Sequence, residues 1–186
     1  PPRSTLFPYT TLFRSFVSAI LPDLSLKEIL EFAAFSGYDC VEVMCWPQGQ
    51  DNRRYAGVTH IDVAGLTNAE VSSIKNLQAS TGVLISGLGY YPNPLAPDPV
   101  EAKVYTDHLY KVMDAAAELD IRNVNTFIGR NPSLSVEENW PRFLEVWQPL
   151  IQYAEERKIY IGIENCPMSF GRRSEEHTSE LQSRQS

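Results

Sequence analysis

Apolar, strand-like runs recur at a nearly constant interval along this chain, and a helix-like segment follows each of the early ones. The runs begin near residues 40, 83, 122 and 159, so they lie 37 to 43 residues apart. Three of the helix-like segments open with a hydroxyl residue and a glutamate three positions later, the capping box that marks a helix start. Regular alternation of this kind predicts parallel strands joined by crossover helices.

Two α/β architectures satisfy this pattern: an open doubly wound sheet and a closed (β/α)8 barrel. Nucleotide-binding open sheets carry G-x-G-x-x-G or G-x-x-x-x-G-K-[ST] after a strand, and neither motif occurs after these runs. The sequence therefore favours the barrel, and the predicted fold class is the first five strand–helix units of a truncated (β/α)8 barrel. The predicted strands cover residues 16–20, 40–46, 83–89, 122–128 and 159–164.

The two ends of the chain differ from the middle. Residues 5–15 read TLFPYTTLFRS and residues 173–183 read RSEEHTSELQS, and each resembles an in-frame translation of a sequencing-library adapter. Such segments are excluded from fold reasoning. We therefore predict a non-native segment 1–15, a partial barrel 16–172 and a non-native segment 173–186. The central part has 157 residues against about 250 in a complete barrel, so three strand–helix units are expected to be absent.

Charge and cysteine content restrict the partners and the compartment. The chain carries 16 Lys and Arg against 23 Asp and Glu, a net charge of −7, whereas phosphate-backbone binding needs clustered basic residues. The cysteines at positions 40, 45 and 166 form no Cys-x-x-Cys pair, which favours a reducing cytoplasm. No stretch reaches the roughly 18 to 20 apolar residues of a membrane span. We expect a cytoplasmic protein without a nucleic-acid or membrane partner.

Side-chain alternation singles out two glutamates. In IYIGIE, residues 159–164, the isoleucines suit the layer facing the helices, so Glu164 points into the lumen at the carboxyl end of its strand, where barrel active sites form. A carboxylate there is a metal ligand, an acid/base group or half of a structural ion pair. Glu42, between Val41 and Val43, faces the lumen by the same argument. For Glu42 a structural pairing with a neighbouring polar group is the favoured interpretation.

Further candidates for substrate binding lie after the second and third strands. His60 falls in a loop on the catalytic side, where it can hold a substrate hydroxyl or simply be exposed. Tyr90, Tyr91 and Asn93 follow the third strand and can stack on or hydrogen-bond a sugar, although Tyr-Pro-Asn-Pro is also ordinary loop chemistry. His108, in the middle of a helix, is interpreted as a packing residue.

The end of the fourth strand offers Asn125, Thr126 and Arg130. Thr126 and Arg130 are predicted to bind substrate, and Arg130 can clamp an anionic group such as a phosphate. An ion pair between Arg130 and Glu137 or Glu138 is an equally open interpretation.

Several longer segments resemble one known family. The segments SGLGYYPNPL, NTFIGR, SVEENW and YAEERKIYIGIENCPM, with FVSAILPDLSLKEILEFAAFSGYDCVEVMCWP and RRYAGVTHIDV, are similar to sugar phosphate isomerases/epimerases of the xylose isomerase-like TIM barrel superfamily. The resemblance spans nearly all of residues 16–170. It implies a TIM barrel and a small-molecule sugar or sugar phosphate as substrate, and it leaves open whether the parent protein is a homo-oligomer.

The resemblance also implies a metal-assisted chemistry. In this family the fifth strand ends in a glutamate that binds a divalent metal, here Mn, Mg, Co or Zn, and Glu164 matches that position. Glu164 is therefore implied both as a metal ligand and as one catalytic acid/base partner in proton transfer through an enediolate. The family takes its other ligands from the sixth to eighth strands, so this chain alone is expected to be inactive.

Three alternatives stay open. The first is an inosose dehydratase-like lyase that uses the same metal site. The second is an abasic-site endonuclease-like hydrolase, against which the negative charge and the placement of His60 and His108 away from strand ends both argue. The third is a truncated product without any function.

Overall fold

The apolar runs form a single parallel sheet, and the segments between them form its helices, in a computed structural model that describes residues 13–49 and 57–164. Strands β1 to β5 are Ser15–Val17, Cys40–Met44, Leu84–Gly89, Asn123–Thr126 and Tyr160–Ile163. Helices α1 to α4 are Leu26–Ser36, Asn68–Thr81, Pro99–Glu118 and Val136–Glu156. Each strand begins and ends within about two or three residues of its predicted bounds.

The order of the strands decides between the two architectures. The strands pair in the sequential order β1-β2-β3-β4-β5, and every neighbouring pair is parallel. A doubly wound sheet reverses its strand order at a switch point, whereas a barrel adds each strand to the same edge. The described residues therefore form part of a TIM barrel, and the predicted fold class is confirmed.

The helix ends follow from local sequence. Complete capping boxes are present at Ser25, Thr67 and Ser135, where each hydroxyl accepts a hydrogen bond from the amide of the glutamate three residues later. Helices α1 and α2 end at Gly37 and Gly82, whose φ angles of 75° and 69° lie in the left-handed region that favours glycine.

The first strand is shorter than predicted. Residues Ser18–Ile20, expected to be its second half, form a single 3-10 turn. The Ser18 hydroxyl accepts a hydrogen bond from the Met44 amide at 2.9 Å. This side chain thus satisfies an amide that a longer strand would have paired, and the chain leaves the sheet at this point.

The main hydrophobic core lies between the sheet and the helices. One face of the strands supplies almost fully buried residues, which pack against equally buried residues of the helices. From the strands these are Val41, Val43, Leu88 and Val124, and from the helices Ile29, Leu30, Val112 and Leu150. None of the helices within residues 13–49 and 57–164 is long and apolar enough to cross a membrane.

Of the two adapter-like segments, only residues 13–15 belong to the described part of the chain. The rest of both segments lies outside the described residues, as does Cys166. The Arg14 amide donates to the Asp39 carboxylate at 2.8 Å. The Arg14 carbonyl in turn accepts from the Asp39 amide at 2.9 Å. These residues therefore extend β1 by backbone pairing toward the start of β2.

Candidate functional site

Four polar side chains meet on the sheet face opposite the helices, near the carboxyl ends of neighbouring strands. We call Glu42, Tyr91, Asn125 and Glu164 the lumen cluster. Glu42 lies on β2, Tyr91 follows β3, Asn125 lies on β4 and Glu164 follows β5. Because the strands are parallel and sequential, the four residues are brought to one end of the sheet from positions 42 to 164.

Glu42 is the centre of this cluster. The Tyr91 hydroxyl donates a hydrogen bond to Glu42 Oε1, and Asn125 Nδ2 donates to Glu42 Oε2 at 2.8 Å. Both oxygens of this partly buried carboxylate therefore accept a hydrogen bond, as a carboxylate withdrawn from water requires. The interpretation of Glu42 as paired with neighbouring polar groups is confirmed.

Glycines give the cluster its space. A shift in register between Val41 and Glu42 sets Gly87 opposite Glu42. A Cβ atom at Gly89 would lie 2.5 Å from Glu42 Oε1, and one at Gly162 would collide with Asn125 Oδ1. At each of these glycines, a polar side chain from a neighbouring strand occupies the space that a larger residue's side chain would need.

Glu164 joins the cluster from the last described strand. Its amide donates to the Thr126 carbonyl at 3.0 Å, which continues the pairing of β5 with β4. Gly162 faces Asn125, so Glu164, two residues later, faces the same side. Burial raises the pKa of Tyr91 far above its ordinary value, and the hydrogen bond to Glu42 and the charges of Glu42 and Glu164 raise it further. The phenol is therefore protonated at neutral pH and lies within electrostatic reach of both carboxylates.

His60, predicted to bind substrate, ties two loops together. Its Nδ1 lies 2.9 Å from Ser18 Oγ and its Nε2 lies 3.3 Å from the Leu21 carbonyl oxygen. With the Ser18 hydroxyl donating to Nδ1, the Nε2 hydrogen is donated to Leu21. Burial lowers the pKa of His60, in keeping with this neutral form. Both ring nitrogens are engaged within the protein, and substrate binding by His60 stays a prediction.

Tyr90, the second predicted substrate contact, lies in the core behind the sheet. It is 1% exposed, and its ring packs edge-on against Trp46 and His108, with centroids 4.8 and 4.6 Å away. His108 Nε2 lies 2.7 Å from the Cys45 carbonyl oxygen, so His108 is a packing residue as interpreted. Of the two adjacent tyrosines, Tyr91 rather than Tyr90 faces the lumen.

Asn93 and Arg130, also predicted to bind substrate, meet in the loops after β3 and β4. Asn93 Nδ2 donates to the Arg130 carbonyl at 2.9 Å, and Asn93 Oδ1 accepts from the Arg130 amide at 2.9 Å. Asn93 therefore positions the backbone of Arg130. The Arg130 side chain is half-buried, and its Nε is a buried donor that lacks a hydrogen-bond partner in the described structure. Glu138, one of its expected partners, instead accepts a hydrogen bond from the Ser135 amide at 2.8 Å.

Thr126 lies on the helix side of β4 and not in the lumen. Its side chain is fully buried, on the same face as Val124, and within the described residues its hydroxyl has no hydrogen-bond partner. Asn125, one residue earlier, reaches the lumen instead. The same alternation that identifies Glu164 would have selected Asn125 over Thr126 and Tyr91 over Tyr90, because each pair differs by one residue and therefore by one face.

A comparison with protein families shows which family this chain is related to. The sequence model of the xylose isomerase-like TIM barrel family matches residues 30–183, more than half of the chain. The chain belongs to the xylose isomerase-like TIM barrel family. The match also runs through the second adapter-like segment, 173–183.

Several solved structures resemble the chain in fold. A probable 3-DHS dehydratase from Bacillus anthracis matches with a TM-score of 0.65 and 11% identity over 85% of this chain and 54% of its own. A D-psicose 3-epimerase matches with a TM-score of 0.61 and 15% identity over 82% and 52%. The IOLI protein, solved with a bound zinc atom, matches with a TM-score of 0.64 and 15% identity over 94% and 60%.

The chain thus spans about half of the length of these structures. At such identities the likeness shows the fold alone. No curated protein matches the sequence. Enzymes are among the proteins of this fold, since two of these structures are a D-psicose 3-epimerase and a probable dehydratase.

A metal site typical of such xylose isomerase-like barrels fits the described residues only in part. Residues 13–49 and 57–164 contain no group of three His, Cys, Asp or Glu side chains placed to hold a metal ion. Glu164 offers one carboxylate at the carboxyl end of the sheet, whereas both oxygens of Glu42 already accept hydrogen bonds. The donor chemistry suits one oxygen ligand of a divalent cation.

Proposed function

We propose that this chain supplies the first five strand–helix units of a divalent-metal-dependent isomerase or epimerase of a sugar or sugar phosphate. We propose further that residues 1–15 and 173–186 lie outside its native domain. The observation that carries the function is the lumen cluster, in which the Tyr91 hydroxyl donates to Glu42 and Glu164 follows β5 on the same face, at the carboxyl end of a barrel sheet. Moving a proton between neighbouring sugar carbons needs a base at such a position, and a carboxylate can act as one.

Glu164 is the residue that we propose for the chemistry. When bound, Mn²⁺, Mg²⁺, Co²⁺ or Zn²⁺ would polarise the substrate carbonyl and its neighbouring hydroxyl, and Glu164 would be one of its ligands. The Glu164 carboxylate would also accept the proton that leaves the substrate carbon, giving an enediolate, and return a proton in the reverse sense. The second acid/base group and the other ligands are not among the described residues. The 186-residue chain is therefore expected to bind metal weakly and to turn over no substrate.

Substrate binding is proposed to centre on Arg130. Asn93 fixes the backbone of Arg130 in the loop after β4, and the buried Nε donor, without a hydrogen-bond partner among the described residues, suits an anionic group such as a sugar phosphate. His60 and Asn93 would support substrate binding indirectly, because their hydrogen bonds hold neighbouring loops in place. Tyr90 and Thr126, which are buried on the helix side of the sheet, would support it only by packing beneath the strand ends. Replacing Arg130 by methionine should then weaken binding of the phosphorylated sugar more than that of the free sugar.

We propose a cytoplasmic location and a small-molecule partner. The described cysteines, Cys40 and Cys45, are free thiols, and Cys45 is fully buried. Unpaired thiols are the normal state in a reducing compartment. The net charge of −7 gives no excess of basic residues for a nucleic-acid partner.

The test uses two proteins: the 186-residue chain and a longer protein in which residues 16–172 continue through three further strand–helix units. Both are incubated in D₂O with a panel of ketoses, aldoses and their phosphates, each with Mn²⁺, Mg²⁺, Co²⁺ or Zn²⁺. We expect the longer protein to convert one substrate and to place deuterium on the carbon next to the carbonyl. Glu164→Gln should lower kcat at least about 100-fold, since it removes a general base worth about 10²–10⁴-fold as well as a proposed metal ligand.

Glu118→Gln is the matched control, because Glu118 is an exposed carboxylate on α3, away from the lumen. Its activity should equal that of the unaltered protein. Turnover by the 186-residue chain alone, or an unimpaired Glu164→Gln variant, would overturn the proposal.

A dehydratase is the second candidate. Removal of a proton beside a carbonyl by the Glu164 carboxylate would also be the first step in losing a hydroxyl from the neighbouring carbon as water. The probable 3-DHS dehydratase has a barrel of the same fold. The same panel separates the two candidates, since a dehydratase yields a product lighter by one water, whereas an isomerase or epimerase yields an isomer of its substrate.

A further inference from the structure

Ser18 and His60 join two loops at the carboxyl end of the sheet. Ser18 opens the 3-10 turn that follows β1, and His60 lies in the segment between β2 and α2. His60 Nδ1 lies 2.9 Å from Ser18 Oγ, and the His60 amide donates to the Met44 carbonyl at 3.0 Å. Because barrel active sites form at this end of a parallel sheet, the contact connects two loops on the catalytic side.

The Ser18 hydroxyl selects the neutral form of His60. A hydroxyl has one hydrogen to donate and two lone pairs that accept. Ser18 Oγ accepts from the Met44 amide at 2.9 Å, and its other hydrogen bond among the described residues is to His60 Nδ1. Ser18 is fully buried, so its hydrogen is donated to Nδ1, which is then unprotonated. The Nε2 hydrogen is donated to the Leu21 carbonyl, 3.3 Å away.

A second proton on His60 disrupts this arrangement. Protonated Nδ1 is a donor, so Ser18 Oγ would have to accept from it and the Ser18 hydrogen would lose its acceptor. A buried hydroxyl without an acceptor destabilises the closed arrangement, whereas separated loops expose both groups to water. Protonation of His60 therefore favours separation of the two loops.

No nearby charge offsets this cost. Burial lowers the pKa of His60 and the hydrogen bond to the Leu21 carbonyl raises it, and no charged side chain of the described residues is among these causes. The titratable side chains of the segments around His60 are Asp23, Glu42, Cys45 and Asp62. The response of His60 to pH is therefore set by burial and by its two hydrogen bonds.

We propose that His60 is a pH-sensitive switch between the loops that follow β1 and β2. With a neutral imidazole, the hydrogen bonds to Ser18 and Leu21 hold the two loops together. With a protonated imidazole, the loops separate. The switch itself depends only on these hydrogen bonds, whereas its effect on turnover rests on the proposed function.

Hydrogen–deuterium exchange of the 186-residue chain at low micromolar concentration tests the switch. Protection factors, from which the intrinsic pH dependence of exchange is divided out, are compared at pH 7.5, 6.5 and 5.5. The reporters are peptides that contain the amides of Leu21 and His60, which donate to the Ser18 and Met44 carbonyls. We expect these factors to fall by about three- to tenfold between pH 7.5 and 5.5, because one proton taken up on opening changes the opening equilibrium by at most about tenfold per pH unit below about 6.5.

Two glutamine variants assign the response to one histidine. His60→Gln is the neutral replacement, because an amide can accept from Ser18 and donate to Leu21 without titrating. Its loop protection should stay constant from pH 7.5 to 5.5. His108→Gln is the matched control, since His108 is also buried and bonds the Cys45 carbonyl through Nε2. This variant should retain the fall in loop protection.

A measurement on the unaltered chain keeps the test valid even if a variant fails to fold. Spectra of the chain labelled with ¹⁵N-histidine report which ring nitrogen carries the proton, and the His60 signals are those missing from His60→Gln or left over after the other histidines are replaced. We expect the Nε2–H form at pH 7.5 and a pKa of His60 below its ordinary value. An Nδ1–H form, or a pKa at or above the ordinary value, would overturn the switch.

The longer protein links the switch to activity. Its KM should rise as the pH falls below about 6.5, and His60→Gln should remove this rise. A fall in loop protection that survives His60→Gln would overturn the switch. The expected fall in a longer protein that turns over no sugar would retain the switch and overturn the proposed function instead.

Discussion

At the residue scale, single steps of side-chain alternation decide what reaches the lumen. Tyr90 and Tyr91 are neighbours in sequence, yet the first packs against Trp46 in the core and the second donates to Glu42 in the lumen. Successive residues of a strand point to opposite faces. The chemistry of the cluster therefore depends on register, which glycines and a local irregularity in the pairing of β2 with β3 help to set.

Gly162→Ala tests how closely the cluster is packed. The added methyl group would collide with Asn125 Oδ1 and displace the amide that holds Glu42. We expect a loss of about 1–3 kcal/mol in the free energy of unfolding, as for other overpacked sites, measured by urea denaturation.

Gly65→Ala is the matched control, because no atom lies within 4 Å of its added Cβ and its φ is not in the left-handed region. Its free energy of unfolding should change by less than about 0.5 kcal/mol. Equal effects of the two alanines would show that Gly162 is not a close-approach position.

The two described histidines predict how stability varies with pH. Burial is the largest cause that lowers the pKa of both His60 and His108, whereas the unfolded chain takes up these protons near pH 6.5. The unfolded state therefore binds more protons, and stability is full above about pH 6.5 and falls as the pH drops through the lowered pKa values.

Urea midpoints at pH 8, 7, 6 and 5.5 measure this loss. His60→Gln and His108→Gln should each remove part of it, and the double variant should show a much flatter profile over this range. An unchanged slope in the double variant would assign the pH dependence to other groups.

At the element scale, helix starts are fixed by local hydrogen bonds that do not depend on the rest of the fold. In the first capping box the Ser25 amide and hydroxyl both donate to the Glu28 carboxylate, at 2.8 and 2.6 Å. The Glu28 amide donates back to Ser25 Oγ at 3.3 Å. Such bonds satisfy amides that the helix leaves unpaired.

Ser25→Ala should therefore lower the free energy of unfolding by about 1 kcal/mol, within a range of roughly 0.5–2 kcal/mol. Ser73→Ala serves as the control, because Ser73 is an exposed position inside α2, where alanine is the better helix former. Thermal or urea denaturation measures both. A Ser25→Ala variant as stable as the Ser73→Ala variant would contradict the capping role.

At the scale of the whole molecule, the sheet of the described residues is open. Strands β1 and β5 each pair on one side only within residues 13–49 and 57–164. Tyr160 on β5 is 72% exposed. An unpaired edge with apolar side chains is a template for pairing with another chain.

We therefore expect the 186-residue chain to associate as its concentration rises, measured by sedimentation velocity or size-exclusion chromatography. Tyr160→Lys should reduce this association, since charged residues blunt an edge strand. Val104→Lys, at a 55% exposed position on α3, should have less effect because α3 packs on the inner strands β3 and β4. A monomer whose unfolding is independent of concentration would contradict an exposed edge.

Much of the fold was determined by the sequence alone, because its signals are local. Capping boxes, glycine helix ends and apolar periodicity depend on contacts within a few residues, and they predicted the four helices and five parallel strands. The resemblance carried by the segments from FVSAIL to IENCPM agrees with the family match over residues 30–183. Alternation placed Glu42 and Glu164 on one face, since that requires only the period of a strand.

The tertiary structure alone decided which polar groups meet. The bond from Asn125 to Glu42 joins residues 83 positions apart, and that from Tyr91 to Glu42 joins residues 49 apart. Such contacts depend on strand order and register, which no local pattern encodes. The same holds for His60, whose two nitrogens are engaged by loops from the first strand–helix connection. Local sequence therefore built the elements, and packing of parallel strands in sequential order assembled the site.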